Sequence, residues 1–441
     1  MTLPSVIIVG AGFGGLGAAI ECANRGMNVR VYEKYPDSNS HGDILDIFPN
    51  AGRIIKRWND GKVGQEIHDT GCSKIRSMDI YKYDGKFLAS TSWAENDEFH
   101  DITYAGHRGK LHSIILAYAK TLVPEIHIGL GVQKYLENDT QAGVVLSNGE
   151  TVWADCVIAA DGARSIAREQ VLGINDSDDN ETSWAVFRTF LSTDEAARKK
   201  LAAHGLLSTN DDLVRFWMSD TLYLMAFSWN KGKDIAWTLT HPDDKASSEG
   251  WTRSSIADRE HLAQWMKDFT TEDAQVLLDI TPQGRTINFK LVYRPTIEKW
   301  TSKGGRTILI GDAAHANLPT AGQGASQALE DAATVAYCLA KGDGDVRLAL
   351  EATQRIRYHR SNAVHKSGGI NRDVVKKTPW DEIEADPKGF VERRWAKMRP
   401  WDPLAFAEEH FPKVAEDIAK GVQGHPDVVS VPPPPGGYWY S

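Results

Sequence analysis

The chain has 441 residues, 41% of them apolar and 25% charged, with a formal net charge of -9. That length sets aside a single small core and asks for two or three domains. The acidic balance sets aside a nucleic-acid partner, because phosphate binding needs a basic field.

No run of about 20 apolar residues is present to cross a bilayer, so no transmembrane segment is expected. Cys22, Cys72, Cys156 and Cys338 form no C-x-x-C pair and no cluster with zinc-like spacing, so no metal site is expected. Scattered cysteines suit a reducing compartment. With no basic-then-apolar leader, a soluble cytoplasmic protein is the expectation.

In chain order, residues 6–9 are an apolar run followed by glycines and a helical pattern through Ala18, Ile20 and Ala23. Gly26 ends that pattern, and a second apolar run at 29–32 leads to Glu33. The order strand, turn, helix, strand is a βαβ unit. A helix is expected near 110–119, a strand near Ile126, and a hairpin over 144–152 around the turn pair Asn148-Gly149. Residues 156–160 form another buried-strand run that ends in Asp161-Gly162. From about 182 the pattern changes to alternating segments, 185–191, 213–218, 222–229 and 235–240, which read as half-buried strands of a separate sheet. A charged helical insert is expected at 256–269. Residues 307–310 return to the apolar-strand style before Gly311-Asp312. Helices are expected over 325–339 and 346–365, and the consecutive prolines at 432–435 mark an extended tail.

The fold class expected is α/β. A discontinuous Rossmann-type nucleotide-binding domain (1–180 and 291–375) carries an inserted mixed β-sheet substrate domain (181–290), with a C-terminal helical segment and Pro-rich tail (376–441).

Three motifs bear on chemistry. In Gly10-Ala11-Gly12-Phe13-Gly14-Gly15, Gly10 permits the turn out of the strand and Gly12 leaves room for a pyrophosphate against the backbone. Gly15 lets the helix approach the sheet. The helix N-terminus offers N–H groups and dipole to the anion, and Glu33 stands at the expected spacing of about 20 residues for a ribose-binding acid. This motif serves FAD or NAD; its place at the start of the chain favours FAD. The second motif runs from Asp161-Gly162 to Ser165 and Arg168, with a carboxylate and bare backbone at a strand's carboxyl end. A plain Asp-Gly turn is the alternative. The third is Gly311-Asp312-Ala313-Ala314-His315, then Leu318-Pro319 and Gly322-Gln323-Gly324-Ala325. Asp312 suits ribityl hydroxyls. The glycine loop opens a helix whose N–H groups can face a polar ring edge. His315 reads as a packed structural histidine ahead of a catalytic one.

With these three motifs in order, the chain resembles the single-component (group A) FAD-dependent monooxygenases, the salicylate and 4-hydroxybenzoate hydroxylase type. It is most similar in feel to the branch acting on indole alkaloids in fungal secondary metabolism. The resemblance implies FAD as cofactor, NADPH or NADH as reductant, and O2 as co-substrate. It implies oxygen transfer to an electron-rich aromatic small molecule through a flavin C4a-hydroperoxide. Arg108, in His107-Arg108-Gly109, matches the family's FAD-contacting arginine at a helix start. Cofactor contacts are therefore expected from Gly10, Gly12, Gly15, Glu33, Arg108, Asp161, Asp312, Pro319, Gly322, Gly324 and Ala325. Many relatives carry Asn where Ser326 stands here, so one ring contact differs.

Arg188, in Phe187-Arg188-Thr189, matches an arginine of the fungal branch, and it shares an alternating face with Val186 and Phe190. A guanidinium there suits a phenolate or the charge that develops as the peroxide breaks. Asp43, in Gly42-Asp43, is the other catalytic candidate, as an anchor for an indole N–H or a basic amine; a loop cap is the alternative. Phe216, Tyr223, Phe227 and Trp229 are expected in the substrate pocket. Phe227 stands where phenol-hydroxylating relatives often carry a tyrosine, which favours indole 2,3-epoxidation with rearrangement over phenol hydroxylation. A flavin dehydrogenase or oxidase on the same fold is the rival activity, and a non-catalytic flavin-fold carrier is the rival class.

Overall fold

The computed structural model describes residues 3–36, 44–70, 75–92, 97–175, 181–207, 212–245, 247, 256–292, 294–318, 321–376, 379–389 and 401–426. Val6–Val9 pairs in parallel with Val29–Glu33 on one side and with Cys156–Ala159 on the other. Glu125–Ile128 and Thr307–Leu309 extend this sheet outward, also in parallel. The five strands stand in the order 307–309, 156–159, 6–9, 29–33, 125–128. The chain thus leaves Val6–Val9 on one side and returns on the other, which makes its carboxyl end the switch point where such sheets bind ligands. Every residue of Val6–Val9 and Cys156–Ala159 is buried, as a sheet covered on both faces requires. Each fully buried Val or Ile there contributes about 1.5–3 kcal/mol.

The helix Phe13–Asn24 packs on the helix Gly324–Lys341. A Cβ on Gly17 would lie 2.8 Å from Leu329 Cδ2 and 3.1 Å from the Ala332 Cβ, so the missing side chain sets the helix separation. This contact joins the element that follows the first glycine motif to the element that begins at the third. A three-stranded antiparallel sheet (Val132–Glu137, Ala142–Leu146, Thr151–Ala154) contributes Tyr135, Val144 and Leu146 to the same core.

The second large element is a seven-stranded sheet in the order 286–292, 181–192, 234–242, 223–229, 212–218, 75–82, 87–92. Its pairs are antiparallel except for Asp212–Met218 against Ile75–Lys82. Two of its strands, Ile75–Lys82 and Phe87–Ser92, come from well before the alternating segments that announced it. One face carries Phe187, Trp217, Leu224, Trp237 and Leu239 and is covered by the helices Glu195–Ala203, Arg259–Met266 and Glu272–Ile280, whose Leu201, Leu262 and Leu277 complete that core. The other face carries Val214, Phe216, Met218, Phe227 and Trp229, in one cluster with Phe48 and Ala105 of the first unit.

The long C-terminal helix runs Val346–Lys376, beyond the expected end at His365, and a further helix spans Pro403–Ala419. No described helix is long and apolar enough to cross a membrane. The prolines at 432–435 lie outside the described residues.

Candidate active site

The three motifs emerge side by side at the carboxyl edge of the parallel sheet. Backbone ladders fix their register: the N–H of Gly10 donates to the Tyr32 carbonyl (2.8 Å), that of Ala160 to Val9 (2.8 Å), and that of Ile310 to Ala159 (3.0 Å). Gly10, Glu33, Asp161 and Asp312 therefore face one crevice.

The three predicted glycines of the first motif do different things. Gly10 has φ +99° and lies against the Ala160 backbone, and Gly15 lies against the Gly10 carbonyl, each too close to admit a Cβ. Around Gly12 nothing stands within 4 Å of an added Cβ. Two glycines are thus required by protein packing, and the third opens onto space that a pyrophosphate fits. Glu33 is 9% exposed. Its carboxylate accepts from the N–H of Ala11 (2.7 Å) and of Tyr35 (2.8 Å), which holds it at the loop's edge.

The helix Arg108–Leu122 begins at Arg108, and the His107 ring accepts from the Lys110 N–H at 3.4 Å as its cap. The Arg108 guanidinium lies 5.7 Å from the Phe13 ring centroid, which brings the predicted arginine to the first motif. Its charge also reaches Asp312, whose carboxyl is pushed up by burial and drawn back by His315 and Arg108. Asp312 is nonetheless exposed, so its carboxylate is open to a ligand at the strand end.

Asp161 is a clamp. Its Oδ2 accepts from the Tyr135 hydroxyl (3.1 Å) and the Ala167 N–H (3.4 Å), at the start of the helix Ile166–Leu172. Burial raises its pKa, and hydrogen bonds from Ser165, Ala167 and Tyr135 pull it back. Its buried Oδ1 has no hydrogen-bond partner among the described residues. Arg168 is buried and donates to the carbonyls of Ala313 (3.1 Å) and Ala314 (3.4 Å), which bolts the second motif to the third. Arg164 is exposed.

In the third motif, Gly322 has φ +65°, with the Phe48 ring 3.6 Å from where its Cβ would be. Gly324 and Ala325 begin the helix Gly324–Lys341 as expected. Ser326 is fully buried, and its hydroxyl accepts from the Phe48 N–H at 3.2 Å, so it serves the protein frame. His315 is buried with Nε2 at 2.5 Å from Asp331 Oδ2, which supports the structural reading of that histidine. Pro319 and Asp43 lie outside the described residues.

Arg188 sits on the strand Glu181–Ser192, half-buried, with its guanidinium 5.6 Å from the Phe289 ring centroid. Register places it in one row with Thr238, Met225, Phe216 and Ile80. Phe190, two residues on along that face, packs 4.4 Å from the His107 ring, next to Arg108. Phe216, Tyr223, Phe227 and Trp229 all share this face. Trp217 and Trp237 turn to the opposite one, as alternation dictates.

Several residues escaped the sequence reading. His112 is buried and its Nε2 lies 2.6 Å from the Ala11 carbonyl. A carbonyl only accepts, so Nε2 carries the proton, and burial holds the ring's pKa down. Tyr135 gave no local signal, because its partner Asp161 is distant in sequence. Trp380 and Ile383, on the short helix Trp380–Ala385, close the far end of the aromatic face, where the Trp380 Nε1–H donates to Asp220 at 2.6 Å.

Comparison with known proteins agrees with this geometry. An FAD binding domain model matches residues 110–366 and a second one residues 5–44. The FAD-dependent monooxygenase nanF of Aspergillus nanangensis is 34% identical over 98% of this chain and 93% of its own. The asperlicin C monooxygenase of Petromyces alliaceus is 32% identical over 96% and 91%. The crystal structure of CtdE with FAD and a substrate superposes with a TM-score of 0.81 at 28% identity, covering 94% of this chain and all of that one. The parallel-sheet crevice with its three glycine motifs, the sheet packed against it and these matches along nearly the whole chain place the protein among the FAD-dependent monooxygenases.

Proposed function

We propose that the protein uses NADPH or NADH to drive transfer of one oxygen of O2 to an electron-rich aromatic small molecule, with an indole favoured over a phenol. The supporting observation is the single sheet face that carries Arg188, Phe216, Tyr223, Phe227 and Trp229 and packs toward Phe48 and His107. The open space at Gly12, the buried Oδ1 of Asp161 and the exposed Asp312 carboxylate fit FAD.

The residues then have these roles. The start of Phe13–Asn24 and Gly12 take the pyrophosphate, with Gly10 and Gly15 holding the turn. Glu33 takes the adenosine ribose, Asp312 the ribityl chain, and Arg108 the neighbouring anionic or polar edge. Gly322, Gly324 and Ala325 frame the pyrimidine edge with backbone N–H groups at the helix start, and Pro319 keeps the cofactor-binding role that the resemblance implies. Asp161 holds the second motif against the cofactor. FAD supplies the redox and oxygen-activating chemistry when bound. Phe216, Phe227 and Trp229 hold the aromatic ring and exclude water, and Tyr223 sits at the outer end of that wall. Arg188 stabilises negative charge that develops during oxygen transfer. Asp43 anchors an N–H or amine of the substrate. Phe227 presents no hydroxyl to a phenol, which supports the indole.

The test follows NADPH and NADH oxidation and O2 uptake with a panel of indole alkaloids and phenols, with products weighed after reaction under labelled O2. A compound that speeds nicotinamide oxidation and gains one labelled oxygen supports the reading. A dehydrogenated product with no label assigns the oxidase chemistry in its place. Arg188→Ala is expected to keep FAD bound while product formation falls by about 100-fold or more, the scale of losing one charge-stabilising donor. Arg188→Lys restores little, because the planar fork is lost. Normal coupling in Arg188→Ala removes the arginine from the mechanism.

A further inference from the structure

Behind the 322–324 loop lies a buried polar cluster drawn from three separated segments. Glu330 and Asp331, both fully buried, face Arg357 and Arg360 of the long C-terminal helix. Arg357 Nε donates to Asp331 Oδ1 at 2.7 Å, its Nη1 reaches Glu330 Oε2, and its Nη2 donates to Gln327 Oε1 at 2.7 Å. Arg360 Nη2 donates to Glu330 Oε1 at 3.1 Å. Two carboxylates meet two guanidiniums here, and His315 Nε2 also lies 2.5 Å from Asp331 Oδ2.

Asn50 joins this cluster from outside. It lies in the helix Pro49–Arg57, fully buried, and its Nδ2 donates to Gln323 Oε1 (3.0 Å) and Glu330 Oε1 (2.5 Å). Its Oδ1 is buried with no hydrogen-bond partner among the described residues. A leucine of similar volume would remove the unmet Oδ1 but would strand the buried Gln323 Oε1, which accepts from Asn50. Both bonds of the amide run to the third motif, one to Gln323 at the cap of the helix that opens at Gly324 and one to Glu330 within that helix. Gln323, one of its partners, lies between the two loop glycines. Ser326 adds a second staple two residues away, through the Phe48 N–H. Phe48 in turn lies against Gly322 and belongs to the aromatic cluster of the substrate-facing sheet.

We propose that Asn50 is a positioning residue that holds Gln323 and Glu330 so that the 322–324 loop keeps its N–H groups aimed at the flavin pyrimidine edge. This rests on the reading that the loop frames that edge. Asn50 touches neither cofactor nor substrate in this role. It fixes the angle between the loop and the Phe48 segment, as buried polar groups can fix register. A helix N-terminus aimed at the pyrimidine favours the reduced, anionic flavin over the oxidised form.

The test uses Asn50→Leu and Asn50→Ala in the full chain. Glu330 keeps Arg357, Arg360 and Gln327 in both, so no charge is stranded. FAD dissociation is measured on apoprotein, and the two-electron midpoint potential by dye equilibration without nicotinamide or substrate. Asn50→Leu is expected to fold, with the apoprotein melting temperature lowered by the stranded Gln323 Oε1, and to bind FAD about tenfold more weakly. Its preference for reduced over oxidised flavin is expected to drop about tenfold, a potential about 30 mV more negative for a two-electron couple. Unchanged FAD affinity and potential in Asn50→Leu overturn the proposal. Failure of both variants to fold also overturns it, by assigning Asn50 to packing. The potential is readable whatever the substrate or reductant proves to be, so the outcome is separate from that of the proposed reaction. Wild-type protein that binds no FAD removes the underlying reading itself.

Discussion

Arg357 carries more of the structure than any residue marked by a motif. It is 2% exposed and meets Glu330, Asp331 and Gln327. Burial alone would raise the Asp331 carboxyl, but the His315 and Arg357 charges beside it hold it down at about 2. Through Asp331, whose Oδ1 accepts from the guanidinium and whose Oδ2 accepts from the Gly311 N–H at 2.9 Å, Arg357 steadies the turn that presents Asp312. Removing one member of such a group leaves a buried charge poorly matched, a loss of about 3–5 kcal/mol. Arg357→Ala is therefore expected to lower the stability of the apoprotein by that amount in urea unfolding. A loss below about 1 kcal/mol would show that water enters and replaces the arginine. Nothing local in the sequence announces this cluster, because Arg357 stands on another helix and Asn50 far earlier in the chain. Asp312 was legible for the opposite reason: a glycine beside an acid at a strand end is a short-range pattern with one common use.

At the scale of elements, two glycines of one motif give a separable pair of outcomes. A Cβ at Gly15 meets the Gly10 carbonyl, so Gly15→Ala forces the helix Phe13–Asn24 off the sheet. A Cβ at Gly12 meets no protein atom within 4 Å. Gly12→Ala apoprotein is expected to melt within about 1 kcal/mol of wild type, while losing most of its FAD affinity. Gly15→Ala is expected to lose about 1–3 kcal/mol of stability through overpacking. Melting curves of both apoproteins, with FAD titrated into each, check the pair; equal FAD affinity in Gly12→Ala and wild type would remove the pyrophosphate from that space. The parallel strands and the glycine-turn helix were legible because their apolar runs and turn residues are local. Ile75–Lys82 and Phe87–Ser92 were not, since nothing local says that they join a sheet formed more than a hundred residues later. Glu195–Ala203 and Glu272–Ile280 did carry capping signals. Asp194 accepts from the Ala197 N–H at 2.8 Å and Thr271 from the Asp273 N–H at 3.3 Å. Their short, mixed apolar stripes were hidden beside longer strand patterns. The predicted pocket aromatics fell on one face because period-2 alternation holds across the unbroken pairing of Leu213–Met218 with Tyr223–Ser228, whereas Asp43 and Pro319 lie outside the described residues.

Across the whole molecule, acid sensitivity is set by buried neutral histidines before any carboxylate titrates. Burial lowers the pKa of His112 and His241, and burial with the nearby His315 charge lowers His365 to about 4. Each holds a fixed partner: Ala11 for His112, Asn288 and Pro242 for His241, and Asn317 for His365. In the unfolded chain these rings take protons near pH 6.5, while in the folded chain they resist. Their stabilising contribution is therefore complete above about pH 6.5 and is lost as pH falls toward the folded values. His365 alone accounts for a loss of about 2 kcal/mol by pH 5. The raised carboxyls of Asp161 and Asp312 have the opposite sign, since the folded state binds their protons more tightly. They act nearer the ordinary carboxylate range, which leaves the upper part of the window to the histidines. Urea unfolding of wild type between pH 7.5 and pH 5 (a range of about 2.5 units around the reference histidine pKa) is expected to show a steady fall. His365→Gln is expected to flatten that fall by about 2 kcal/mol. If His365→Gln keeps the wild-type slope, the ring is protonated in the folded protein over this range, and the acid response belongs to the other histidines lowered by burial, His112, His241 and His425.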